Sequence, residues 1–164
     1  MRYWIIGLCY FIGWWAATAA VDVIVINQPT PNQKVVNRQV LAIQYTIIGA
    51  QTINPPINAL YPSSMDATFH WQQRQTPSTS FNISGLSNLN TDPYPAGIQN
   101  QIYTAHWKLP NCHFFARYKP TDWDFTLVFE LKYPINPNNL PTQPPIRIPL
   151  AIEPVGNDIT PKCT

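Results

Sequence analysis

The stretch WDFTLVFELKY, residues Trp123 to Tyr133, decides the fold. Its odd positions, Trp123, Phe125, Leu127, Phe129, Leu131 and Tyr133, are all apolar, and Asp124, Thr126, Glu130 and Lys132 alternate with them. Period-two alternation puts successive side chains on opposite faces of an extended chain, so the stretch reads as a strand with one face in a core. The same pattern recurs outward from it. Leu41, Ile43, Tyr45 and Ile47 form a second set, Ala67, Phe69 and Trp71 a third, and Ile146, Ile148, Leu150 and Ile152 a fourth. Shorter candidates are Val21 to Asn27, Phe81 to Ile83, Ile102 to Trp107 and Cys112 to Tyr118. Beyond the first 20 residues no segment repeats apolar residues at helical spacing over three turns, which leaves helix a minor part. Seven or eight short strands with turn signals between them predict an all-β fold: a single antiparallel β-sandwich of immunoglobulin-like type, with a jelly roll as the rival architecture. Two longer connections, residues 51–64 and 85–100, are stiffened by proline, and long loops in a compact domain often carry function.

The opening residues 1–20, MRYWIIGLCYFIGWWAATAA, place one arginine before a short apolar run that ends in small residues. That order predicts a secretory signal peptide cut after Ala19 or Ala20, leaving a domain at 21–164. A membrane-spanning helix needs about 20 apolar residues, more than this run supplies. The C-terminal residues lack the hydrophobic tail of a glycolipid-anchoring signal, so the expected product is secreted and leaves no membrane segment behind. Without the leader, nine Lys and Arg face eight Asp and Glu, and the longest basic cluster is Arg117-Tyr118-Lys119. A nucleic-acid binder needs a concentrated basic surface, which excludes that class. All 18 prolines and only four glycines, at 49, 85, 97 and 156, fall after the leader. Proline lacks a ladder donor, so these residues punctuate strands.

Two cysteines remain beyond the leader, Cys112 and Cys163. Outside the cytosol they are expected to pair, closing a loop of about 50 residues and contributing about 4 kcal/mol in the chain-entropy account. Their spacing does not fit a thiolate zinc site. His70, His106 and His113 are isolated in sequence; on the strand assignments His70 and His113 lie on outer faces, and no metal or other cofactor is expected. Asp122 and Asp124 would share a strand face with Glu130 further along, but solvated acids on a half-buried strand account for them without the paired geometry of a glycosidase. The chain contains no Gly-x-Ser-x-Gly elbow.

Aromatics carry the functional expectation. Tyr61, in LYPSS, and Tyr94, in DPYPA, sit in the two long loops, and Trp107 follows His106 just before LPN. Proline-stiffened loops could hold such rings ready to stack on a sugar or a partner side chain at low entropic cost. Asn82, in Asn82-Ile83-Ser84, is the one N-glycosylation sequon and faces solvent if Phe81 and Ile83 face inward.

Residues 25–45, VINQPTPNQKVVNRQVLAIQY, resemble the N-terminal motif of fungal Ser/Thr-rich, often glycolipid-anchored cell-wall proteins related to those of yeast β-glucan synthesis. In that family a proline, a turn glycine, an aromatic, a second glycine and then Ile-x-Trp mark the first two strands of an immunoglobulin-like domain. Pro29, Ile43 and Tyr45 fall at matching intervals, and Asn32, Val35 and Arg38 stand where glycine, an aromatic and glycine are usual. The resemblance implies a non-catalytic extracellular domain at the cell wall or surface. The sequence thus predicts a secreted binding or structural protein, partnered by wall polysaccharide or another extracellular protein. The alternative is a secreted enzyme on the same scaffold, a glycoside hydrolase or a metal-dependent oxidase.

Overall fold

A computed structural model of the protein describes residues 22–53 and 56–153; the leader and Cys163 lie outside the described residues. The alternating stretches fold as strands, and their register sorts them into two sheets. β1 (Ile24–Gln28), β3 (Val40–Ile47) and β6 (Gln101–Lys108) form a three-stranded sheet in the order β1-β3-β6. β2 (Gln33–Val36), β4 (Ser64–Gln73), β5 (Ser80–Leu89), β7 (Trp123–Lys132) and β8 (Ile146–Glu153) form a five-stranded sheet in the order β2-β8-β7-β4-β5. The chain changes sheets between β1 and β2, where the Gln28–Pro29 peptide bond is cis.

Three local expectations are corrected. Cys112–Arg117 is not a strand but a helix, α1: Asn111 Oδ1 accepts from the Phe114 N–H at 3.2 Å and so caps its first turn. β2 carries a strand that the alternation did not announce, and its pairing with β8 is parallel, so the ladders are not uniformly antiparallel. The supposed loop at 85–100 begins only after Leu89, because β5 runs on through Gly85.

Both sheets turn their apolar sets toward one core. Phe69 on β4 is fully buried and sits at its centre, with Trp71, Trp107, Phe114 and Phe125 ring centroids 5.2–6.0 Å away. Trp107 comes from β6, so this contact crosses from one sheet to the other. At one end of the two sheets the segments after β3 and β5 lock together: Gln51 N–H donates to Gly97 O and Gly49 N–H to Asn100 Oδ1. A Cβ on Gly49 would lie 2.4 Å from the Gln99 carbonyl oxygen, so only glycine permits this approach. At the opposite end lie α1 and the start of β7.

The edge of β1 is closed by a side chain. Gln143 Oε1 accepts from the N–H groups of Val23 and Ile24 at 2.9 and 2.8 Å, and its Nε2 donates to Ile24 O at 2.8 Å. One buried amide thereby stands in for a neighbouring strand. Tyr133 holds it in place, its hydroxyl donating to Gln143 O and accepting from Gln143 N–H, both at 2.9 Å. Gln143→Leu leaves two backbone donors at the core margin without an acceptor. It is expected to lower stability by about 3 kcal/mol in chemical denaturation, against about 1 kcal/mol for Tyr133→Phe.

Candidate functional site

The five-stranded sheet is the wider of the two, and its last strand overhangs. The register between β4 and β5 sets Trp71 opposite Phe81 and Phe69 opposite Ile83, so Phe81 and Ile83 share the core-facing side of the sheet. Trp71 is 4% exposed, whereas Phe81 is 45% and Ile83 39% exposed. Burial of that face therefore fades across one strand, leaving apolar side chains at the rim.

α1 and the turn into β7 fold against this rim. Phe115 points inward against Phe125, with centroids 5.5 Å apart, and Phe114 meets Trp71 edge-on at 4.8 Å. The helix stops at Tyr118, whose N–H bonds back to Phe114 O. Tyr118 then lies 5.1 Å from both Trp71 and Trp123 and 6.0 Å from Phe81, and Phe81 and Trp123 are 6.0 Å apart. Phe81, Tyr118 and Trp123 thus touch one another in pairs, and all three are partly exposed. The buried Trp71 indole N–H has no hydrogen-bond partner among the described residues; the rings of Phe81, Phe114 and Tyr118 pack around the indole, and aromatic rings accept N–H only weakly.

Charged groups frame the cluster. The Arg117 guanidinium lies 5.5 Å from the Tyr118 ring centroid. Arg74 pairs with Asp124 at 2.9 Å and donates to Thr121 O, tying the end of β4 to the turn before β7. The arrangement offers ring faces and edges with cationic and hydrogen-bonding groups beside them.

The residues singled out from sequence are distributed otherwise. Tyr61 is partly buried and packs against the core, its hydroxyl donating to Ile48 O, and burial raises its pKa. Tyr94 is partly exposed and precedes the short 3₁₀ turn Pro95–Gly97 at the same end of the two sheets. Trp107 is buried against Phe69 toward the other end, so the structure does not join these three rings in one surface. Cys112 is buried in the first turn of α1. Asn82 is exposed on β5 opposite His70. The three histidines stand on β4, β6 and α1, and no group of three or more His, Cys, Asp or Glu that could hold a metal occurs among the described residues. A concavity of about 360 Å³ lies beside β1, lined by Asp22, Ile24, Ile26, Gln143, Pro144 and Ile146. Its one buried amide is already committed to the β1 backbone.

Sequence reasoning missed the cluster of Phe81, Tyr118 and Trp123 because each reads singly as an inward strand position. The available signal was density: aromatic residues crowd two stretches, 69–81 and 114–125, that the β4–β7 pairing brings together.

Compared with known proteins, the chain matches no family model and no curated protein sequence.

On the outer face of the larger sheet, His70 sits between Asn82 and Thr126. Burial and then the positive charge of Arg147 hold its pKa below 6.5. The folded state thus disfavours the protonated ring, so stability is full above the unfolded value and declines as pH falls through the lowered folded one. Denaturation midpoints at about pH 7 and about pH 5 should differ more in the wild type than in His70→Gln. Equal differences would mean that His70 adds nothing to the acid sensitivity.

Proposed function

We propose that this protein is an exported, non-catalytic domain of immunoglobulin-like fold that binds neutral polysaccharide at a cell wall or extracellular surface through Phe81, Tyr118 and Trp123. The observation that carries the reading is the mutual contact of three part-exposed rings over a buried aromatic base. Rings fixed in this way lose little conformational freedom on binding, and their faces suit the C–H surfaces of sugar rings.

Strand order supports the fold assignment. β1-β3-β6 set against β2-β8-β7-β4-β5 follows the order A-B-E against A′-G-F-C-C′, with the first strand divided between the sheets. A buried tryptophan on strand C belongs to that pattern, and Trp71 on β4 meets it. β3 and β7 carry no cysteine, so a disulfide between strands B and F is not part of this domain.

Backbone conformation supports the resemblance to the fungal wall family. Asn32 and Arg38, at the two positions where glycine is usual, adopt φ of 60° and 61°. That left-handed region is the one glycine enters without steric cost. Val35, in place of the aromatic, is 1% exposed in the core.

The path of the chain supports pairing of Cys112 with Cys163. β8 ends at Glu153 opposite Val36, and Arg38 N–H donates to Pro110 O, two residues before Cys112. β8 therefore ends on the side of the domain where Cys112 lies, and a chain of ten residues, the separation of Glu153 and Cys163, can span up to about 33 Å.

Retention on insoluble β-glucan and on chitin tests the binding site. The wild type is expected to be held by at least one polymer, and Phe81→Ala and Trp123→Ala to weaken retention about tenfold each, the loss of roughly 1.4 kcal/mol. Tyr94→Ala should bind as the wild type does. Undiminished retention of both ring variants, or none of the wild type on either polymer, would count against the proposal.

A further inference from the structure

The first half of β5, Ser80 to Ser84, lacks the features that normally protect the edge of a sheet. Four strands lie at edges: β1, β6, β2 and β5. β1 is short and covered by the Gln143 amide; β2 has four residues, with Lys34 paired to Glu153 at 2.8 Å; β6 ends in Lys108. β5 has ten residues, SFNISGLSNL, with no charge and no proline. A long, uncharged edge strand is a template for pairing with another chain, and natural sheets avoid one by charge, proline, bulges or a cover. The second half of β5 is irregular: its register against β4 shifts twice near Ala67, and Asp66 Oδ1 accepts from Asn88 N–H. The regular, unprotected part is Ser80 to Ser84, with Phe81 and Ile83 exposed on one face.

The one sequon of the chain lies in the middle of that segment. Asn82 and Ser84 are both exposed on the face opposite Phe81, and the Asn82 side chain makes no hydrogen bond among the described residues. We infer that Asn82 carries an N-linked glycan and that this glycan is the guard of the β5 edge. The inference rests on the reading of the chain as exported. In the reaction the Asn82 amide nitrogen bonds to the anomeric carbon of a lipid-diphosphate-linked oligosaccharide. The bond from that carbon to the diphosphate oxygen breaks, the diphosphate leaves with the electron pair, and the amide gives up one proton. A bulky, hydrated group then stands beside the strand where a second copy would have to pair. Alternation separates the two roles of β5: position 82 carries sugar on the outer face, while 81 and 83 leave the ring surface uncovered.

The test uses the full-length protein expressed in a eukaryotic secretory host. Peptide mass spectrometry should find a glycan at Asn82 that is lost in Asn82→Gln and in Ser84→Ala. Light scattering should give a monomer for the wild type and a mass about twofold higher or more for both variants. Asn82→Lys, which removes the glycan but puts a charge on the edge, should remain monomeric. If the variants are not exported, trimming the glycan of the folded wild type to its first sugar should produce the same association. Unmodified Asn82 in protein recovered from the medium would overturn the site. Monomeric Asn82→Gln, or a wild type that stays monomeric after trimming where the variants are not exported, would overturn the guarding role. Both results leave export standing, whereas protein kept in the cytosol with residues 1–20 attached would overturn export itself.

Discussion

The packing of Phe69 is the constraint on which the rest of the structure depends. Its ring stacks on Phe125 of the neighbouring strand at 5.7 Å and 13°, and meets Trp107 from the opposite sheet at 5.2 Å. A single register of β4 satisfies both contacts. A slip by one residue would turn His70 and Thr68 inward and expose Phe69 and Trp71, reversing every buried position of the strand. Because β4 lies between β5 and β7, its register also fixes where Phe81 and Trp123 emerge. The exposed cluster is thus the outer margin of the core itself.

Sparse charge and sparse glycine are handled by placement. The three ion pairs among the described residues, Lys34–Glu153, Arg74–Asp124 and Lys132–Asp66, all belong to the larger sheet and its margins. Rows across the outer face of the smaller sheet read Val25-Thr46-Ile102 and Ala42-His106, without an acid. Left-handed backbone falls to Asn32, Arg38, Asn88, Ala96 and Asn139 as well as to Gly97. Asparagine tolerates that conformation better than most residues because its short side chain can bond to nearby backbone. Tyrosine hydroxyls hold the loops that glycine and charge do not: Tyr45 donates to Asn90 O and Tyr103 to Asp92 O. Burial of Tyr45, reinforced by Tyr103, pushes its pKa to about 12.

The parts legible in the sequence are those where one residue in two is buried. β3, β4, β7 and β8 announce themselves through Leu41 to Ile47, Ala67 to Trp71, Trp123 to Tyr133 and Ile146 to Ile152, because a half-buried strand imposes that period. β2 did not, since Val35 alone points inward. α1 was misread because CHFFARY is apolar at positions compatible with either period, and the deciding information lay in the Asn111 cap. Of the three rings expected to bind, Tyr61 spends its hydroxyl on Ile48, and Trp107, on β6, faces the core; both facts are tertiary. The ring cluster draws on β5, the turn after α1 and the start of β7, segments about 40 residues apart in sequence, beyond the reach of any local pattern.

The most direct test of this account is a nuclear magnetic resonance titration of the protein with soluble β-glucan and chitin oligosaccharides, following the aromatic ring signals. The account predicts saturable shifts confined to Phe81, Tyr118, Trp123 and their neighbours, with Tyr61, Tyr94 and the groove beside β1 unmoved. Shifts centred on Tyr94 or on that groove, or none with either oligosaccharide, would contradict it.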